Sequence, residues 1–361
     1  MHPCRWCLRA AAALALLALP TTPTLAQWSY TSLHPSGASD SFAYGTTATE
    51  QVGWVNWGSG AQAARWSGSA GTYVDLAPGA SMVSSAYATA GGQQAGYSSF
   101  GGGNRAGYWL GTPATWVNIN PALSVSSEVR STTGTQQVGV AHLLVGGFPT
   151  PQASLWTGSA LTWHNLNPPG ALESVAESTT GVQQAGYAKF AAGFEAGIWS
   201  GTAASWMSLH PPAADQSFAL STSGDQQAGY TIDAGATHAA LWSGTAASYV
   251  NLHPALAFDS VAYSTSGTHQ VGWAMYTPGV PSATFWSGTA ASVFSLQSVL
   301  PADYAYSEAH SIYESGGVIY VAGFAHNVTA GRTEAILWTI PEPSTLWLAL
   351  PAFVCLRRRS G

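Results

Sequence analysis

Apolar and polar residues alternate in short runs from Gln27 to Ile340, and no run keeps the 3.6-residue period of a long amphipathic helix. Typical runs are Ser260–Ser264 and Gln270–Met275, each closed by clusters of Gly, Ser, Thr and Pro, which is how strands and tight turns are written. The runs also recur in a fixed order. A Leu or Ile before a turn comes first, mostly as Leu-His-Pro or Ile-Asn-Pro: Leu33, Leu76, Ile119, Leu166, Leu209, Leu252 and Leu296. A Ser opening a Ser-x-Ala-x-small pattern follows: Ser41, Ser84, Ser127, Ser174, Ser217, Ser260 and Ser307. Next is the Gly of Gln-Gln-Ala-Gly-Tyr-like runs: Gly53, Gly96, Gly139, Gly186, Gly229, Gly272 and Gly323. Last is the Trp of Ala-Leu-Trp-Ser-Gly-like runs: Trp66, Trp109, Trp156, Trp199, Trp242, Trp286 and Trp338.

Seven units with glycines 43, 43, 47, 43, 43 and 51 residues apart fit four-stranded propeller blades, although the period also overlaps helical repeats. Composition decides between them. Each unit is rich in Gly, Ser, Thr, aromatics and β-branched residues, and the whole chain has a single Lys. In the sixth unit the strands are predicted around Ser260–Ser264, Gln270–Met275, Thr284–Trp286 and Ser292–Leu296. The segment QWSYTSLHP at Gln27 matches a fourth strand, whereas the last unit stops after a third strand at Ala335–Trp338. The opening segment therefore completes the last unit, which removes two exposed sheet edges. The expected fold is all-β, a seven-bladed β-propeller of ~43-residue four-stranded repeats with the N-terminal strand closing the last blade.

The Gly-to-Trp separation of 13 residues in four of the units suggests that the indole lies across the hairpin on the bare glycine. The small residues of the Ser-x-Ala-x-small strand suit crowded packing near a ring axis. The run Gln-Val/Ala-Gly-aromatic followed by Ala-x-Leu-Trp-x-Gly, as in HQVGWAM and HAALWSG, resembles the HAF family of extracellular repeats. Here the usual Ile-Asn before the Gln is missing, and Leu-His-Pro replaces a Leu-Gly turn. The resemblance implies a propeller without enzymatic activity and brings no functional residues with it.

Composition supports a packed, uncharged fold: 46% of residues are hydrophobic and only 7% are charged. Between Gln27 and Ile340, five basic residues face fifteen acidic ones, a net of −10, so nucleic acid is not an expected partner. Cys4, Cys7 and Cys355 all fall outside this span, so packing alone must hold the body together.

The two ends read as addresses. Residues 1–26 carry Arg5 and Arg9, an apolar stretch Ala10–Leu19, and a small residue before a cleavage point between Ala26 and Gln27, the parts of a secretory signal peptide. Residues 341–361 begin Pro341-Glu342-Pro343, continue through an apolar run from Leu346 to Leu356, and end with Arg357, Arg358 and Arg359. This order resembles the PEP-CTERM sorting signal of Gram-negative bacteria. The resemblance implies an exosortase-type processing protease as partner, transient inner-membrane contact through the tail, and delivery to the cell surface, outer membrane or extracellular matrix. A permanent C-terminal anchor is the rival reading. The domains are thus 1–26, 27–340 and 341–361.

In an up-and-down blade alternate connections share a face. Turns after the first and third strands are nearly uniform (STSG, SGTAAS), whereas connections after the second and fourth strands differ in every unit. A binding face is expected there, with Arg105, His142, Lys189, Glu195, Asp233, His238, His326 and Arg332 as candidates and exopolysaccharide or a surface protein as partner. Unconstrained drift of surface loops would produce the same variation. A second candidate is the ring Tyr44, Tyr87, Arg130, Glu177, Leu220, Tyr263 and His310 in the innermost strands, which either lines a channel or packs between blades, with an Arg130–Glu177 ion pair as the plain outcome. No zinc, calcium, phosphate-loop or nucleophile-elbow motif occurs, so no cofactor, metal or catalytic residue is expected. The functional expectation is an exported non-catalytic propeller, with a propeller-fold glycan lyase or hydrolase as the alternative.

Overall fold

The computed structural model describes residues 27–341, which form seven antiparallel four-stranded sheets and no α-helix. Blade 1 consists of Asp40–Thr46, Gln51–Asn56, Ala61–Trp66 and Val74–Asp75, from the axis outward. The innermost strands of blades 2 to 7 are Val83–Ala90, Ser124–Thr132, Glu173–Thr179, Gln216–Ser223, Asp259–Thr265 and Tyr304–Ser315. Each of the seven touches the innermost strand on either side, blade 7 meeting blade 1, so the sheets close into a seven-bladed β-propeller.

Closure runs as the repeat phase requires. Ser29–Ser32 pairs with the third strand of blade 7, Arg332–Pro341, in the register Ser29 with Thr339 and Ser32 with Ile336, and the Leu33 amide donates to the Ala335 carbonyl at 2.8 Å. That third strand extends beyond the expected Ala335–Trp338, because Pro341 still pairs with Val318. In blade 6 the fourth strand is only Phe294–Ser295. Ser292 belongs to a 3-10 turn fixed by its hydroxyl on the Thr289 carbonyl, and Leu296 opens a second such turn. Ala26, Glu342, Pro343, Arg357, Arg358 and Arg359, and with them the signal and sorting segments, lie outside the described residues.

The core sits between the blades. Seven apolar clusters occupy the seven interfaces; in one, Trp242 and Ala240 of blade 5 meet Ala185, Ala196 and Ile198 of blade 4. The seven repeat tryptophans are fully buried in these clusters. They do not lie on the repeat glycines: Trp66 pairs with Gln51, two residues before Gly53, and the same offset recurs in the other blades. What requires the glycine is a β-bulge in the innermost strand. In blade 1 the register slips between Ala43 and Gly45, and a Cβ on Gly53 would lie 1.8 Å from the Phe42 carbonyl oxygen. The indole-on-glycine contact exists at a different pair, where Trp116 covers Gly107 and Trp206 covers Gly197.

Two polar devices join neighbouring blades. The repeat Ser hydroxyl accepts a hydrogen bond from a third-strand amide of the preceding blade in all seven interfaces, at 2.9–3.1 Å; Ser84 with the Ala63 amide and Ser41 with the Ala335 amide are examples. In six blades the same hydroxyl has a second partner in the preceding turn: His34, Asn120, Asn167, His210, His253 or Gln297. The second device is the Gln-Gln pair. Gln137 Oε1 accepts the Gly158 amide of its own blade while its Nε2 donates to Gln93 Oε1 of the blade before; Gln184, Gln227 and Gln270 repeat the arrangement with Gln136, Gln183 and Gln226, and Gln94 does so with Glu50 in place of the second glutamine. Buried amides paired on both ends satisfy groups that would otherwise be costly to enclose.

The His34 ring is held neutral by this arrangement. Its Nε2–H donates to the Ala38 carbonyl at 3.1 Å, so Nδ1 must accept the Ser41 hydroxyl at 2.8 Å. Burial, with Arg332 nearby, lowers its pKa below the usual 6.5, and burial lowers His253 likewise. A depressed imidazole pKa means that the unfolded chain binds the extra proton, so stability is complete above about pH 6.5 and falls as pH drops below it. Asn already serves in this place in blades 3 and 4. His34→Asn is therefore expected to keep neutral-pH stability within about 1 kcal/mol and to flatten the acid-side fall. Thermal unfolding at about pH 7.5 and about pH 5.5 checks both; an unchanged acid-side fall in the variant would assign the pH dependence elsewhere.

Candidate functional site

The variable connections do gather on one face. In blades 1, 2 and 4 the hairpin after the second strand leans on the chain entering the next blade: the Cβ positions of Gly60, Gly103 and Gly193 lie 3.3, 2.7 and 3.5 Å from Val83, Val125 and Asp215. The uniform turns gather on the other face, where Gly91 approaches Gly134 and Gly267 approaches Ser223. Both ends of the described chain leave from the uniform face, since Ser29 pairs with Thr339 and Pro341 pairs with Val318, beside the Gly316-Gly317 turn.

The eight polar candidates do not form one cluster, because each finds a partner close by in its own blade. Arg105 reaches the Gly102 carbonyl at 3.2 Å, and His142 meets the Ser126 hydroxyl at 3.1 Å. Lys189 pairs with Glu173 at 3.3 Å and covers the Phe194 ring, while Glu195 accepts the Ser208 hydroxyl at 2.9 Å. Asp233 and His238 are 3.1 Å apart, and the His238 ring packs on His253. His326 stacks on Tyr306, and Arg332 pairs with Glu334 at 2.9 Å. Several other acids serve the fold: Asp40 and Asp259 accept the Thr333 and Thr237 amides of the preceding blades.

The face also exposes apolar side chains, which the sequence reading overlooked. Trp57, Met82, Phe100, Leu123, Val125, Leu144, Val145 and Phe148 are all exposed and follow one another around blades 1 to 3. Val83 next to Met82 touches the hairpin after Trp57, and Val125 touches the hairpin after Phe100. The second hairpin of blade 3, Gln137–Val145 and Phe148–Trp156, is the longest of its kind in blades 1 to 6 and carries Leu144, Val145 and Phe148 at its tip. Its Gly146-Gly147 turn has both φ angles positive, +60° and +88°. The signal was present in the four extra residues of this unit, but their apolar character was not weighed. In this sector Arg105 is the one charged side chain on the variable connections apart from Asp40, while blades 4 to 7 carry seven carboxylates against Lys189 and Arg332.

The innermost ring lines the axial cavity. Tyr44, Tyr87, Arg130, Glu177, Leu220, Tyr263 and His310 enclose about 400 Å³, and a further 190 Å³ continues past Ser131, Ser178, Ser221, Ser264 and Ser311. Both readings hold: the ring lines a channel, and its members also pack between blades, Tyr44 on Tyr87 and on His310. Arg130 forms its ion pair with Glu128, at 3.0 Å, and not with Glu177; Glu128 is fixed in turn by Asn104 at 2.7 Å. Arg130 also lies over the Tyr87 ring, 5.0 Å from its centre. Burial alone would lower the guanidinium pKa, but Glu177 and Glu128 outweigh it and raise it. Burial raises Glu177, opposed by Arg130. Tyr230, desolvated and near Glu177, is pushed up to about 12. Across the cavity Tyr263 stacks on His310 with ring centres 4.4 Å apart, and His310 meets Glu308 at 3.2 Å. Among the described residues no group of three or more His, Cys, Asp or Glu is placed to hold a metal ion.

No family model matches the chain, and no curated protein matches it. Solved structures match its fold. Puromycin hydrolase aligns with TM-scores of 0.56 (the S511A mutant complexed with PGG) and 0.55, at 12% and 11% identity, over 83% and 84% of this chain and 53% of the other. This chain thus spans about half the length of those enzymes. The β-propeller domain of the Trilobed protease from Pyrococcus furiosus aligns with a TM-score of 0.51 at 7% identity, over 83% of this chain and 94% of that one. That domain is described as having an open velcro topology, whereas here Ser29–Ser32 closes blade 7. At these identities the likeness speaks to fold alone.

Proposed function

We propose that this chain is an exported, non-catalytic β-propeller of the cell surface or the exopolysaccharide matrix, which binds polysaccharide or protein through the variable connections of one face. The address rests on the signal-like residues 1–26 and the PEP-CTERM-like tail, with an exosortase-type protease as processing partner. The observation that carries the binding role is the contrast between the faces. One keeps its turns nearly uniform from blade to blade, with single exposed apolar residues such as Leu161 and Val182, and the other differs in every blade and exposes a run of apolar side chains from Trp57 to Phe148. Contiguous exposed apolar surface on a rigid scaffold marks a recognition site.

The test is retention of the exported protein on the host's own extracellular matrix. Replacing Leu144, Val145 and Phe148 by Ser is expected to lower retention about tenfold or more while thermal stability stays within about 1 kcal/mol, since these side chains are exposed. Treating the matrix with protease or with glycosidase separates protein from polysaccharide as the partner. A wild-type protein that the matrix does not retain would sink the proposal.

A second reading, a glycan hydrolase or lyase, is supported by one observation: the raised Glu177 lies close to Arg130 and its ion-paired Glu128 in a cavity open to small ligands. Release of reducing ends from the matrix polysaccharide, abolished by Glu177→Gln, is the result that reading requires.

A further inference from the structure

The axial cavity holds polar groups that the fold itself does not use. Arg130 Nε is buried with no hydrogen-bond acceptor, although its terminal nitrogen is paired with Glu128. Glu177, at the equivalent place in the next blade, lines the same cavity and makes no hydrogen bond or ion pair among the described residues. Tyr44 accepts the Trp54 indole N–H at 3.2 Å, which leaves its own hydroxyl proton free to donate. The Arg130 Nε is sealed off, so the Glu177 carboxylate and the Tyr44 hydroxyl are the unused acceptor and donor on a space of about 400 Å³, within the range of small-ligand sites.

Three kinds of ligand can be weighed against these walls. An anion meets a guanidinium already neutralised by Glu128, with Glu177 and Glu308 close by as further carboxylates. An organic cation needs free aromatic faces, but Arg130 already covers Tyr87 and His310 already covers Tyr263. An uncharged ligand with several hydroxyls suits what is left. One ligand hydroxyl can donate to Glu177, another can accept from Tyr44, and the C–H face of the ring can rest on Leu220.

We propose that the axial cavity is a binding site for one uncharged sugar residue, held by Glu177 and Tyr44. The site is separate from the variable face and does not depend on the role assigned to it. Binding of neutral hexoses and N-acetylhexosamines to the exported protein is measured by calorimetry, beside inorganic phosphate and choline as charged probes. At least one neutral sugar is expected to bind. Glu177→Gln and Tyr44→Phe should each weaken it roughly tenfold, the effect of one hydrogen bond to a ligand hydroxyl. Replacing Leu144, Val145 and Phe148 by Ser should leave it unchanged. The two substitutions in the cavity add no volume, so they also test the idea if changes at Arg130 prevent folding. Binding of phosphate or choline in place of sugars, sugar binding indifferent to Glu177→Gln and Tyr44→Phe, or no binding by any neutral sugar would each overturn the proposal.

Discussion

Replacing Trp28–Leu33 with a Gly/Ser stretch of equal length is expected to leave a protein that is aggregated or unfolded at room temperature. The segment supplies the fourth strand of blade 7, so its loss opens the edge of Arg332–Pro341. Leu33 is fully buried in the cluster joining blades 7 and 1, and Trp28 packs on Phe285 and Phe294. Losing one buried leucine and a large part of one tryptophan removes roughly 4–5 kcal/mol of apolar burial. The bare strand edge adds an aggregation template. Since a domain of this kind has about 5–15 kcal/mol in all, that loss is close to the whole margin. Soluble yield and urea unfolding check the result. A variant within about 1 kcal/mol of the parent would mean that ring closure contributes little, and the reading of the N-terminal strand as the final piece of blade 7 would fail.

Gly229→Ala is expected to destabilise by about 3 kcal/mol or more, a large effect for one methyl group. The added Cβ would sit 1.9 Å from the Phe218 carbonyl oxygen and 3.0 Å from the Ala219 Cα, both backbone atoms of the bulged innermost strand, which cannot turn aside as a side chain can. The matched control is Gly71→Ala. Nothing lies within 4 Å of that Cβ position, the backbone there is not left-handed, and Ala stands in the corresponding place, Ala204, in blade 4. That substitution is expected to be neutral or to stabilise by up to about 1 kcal/mol, because it restricts only the unfolded chain. Urea midpoints for the pair test the bulge directly: equal stability of the two variants would show that the innermost strand relaxes around Gly229.

The number of blades and the phase of closure were legible in the sequence because four landmarks repeated in step, and repetition survives without knowledge of any contact. The contact partners were not legible. A Gly-to-Trp separation of 13 residues fits a pairing of the two residues, but it fits equally well the observed register, in which the tryptophan stands opposite the glutamine two places earlier. Only the hairpin turn decides between them. The bulge that explains the glycine lies on a different strand and leaves no compositional mark. The Gln-Gln pair was seen as part of a repeat, yet its purpose became visible only when blades were set side by side, since each glutamine spans two of them. The polar candidates on the variable face were chosen for their charge. Charge proved to be the less informative property there, because residues such as Lys189 and Arg332 are already paired. The axial ring was identified residue by residue, but alternation along a strand does not distinguish a lining from a seam.

Both ends of the described residues emerge beside blade 7 on the uniform-turn face. A tether attached at either of these two points would hold the ring from behind, like a shield gripped by a strap. The apolar arc from Trp57 to Phe148 looks outward in either case, and cutting one grip while keeping the other would not turn the shield around.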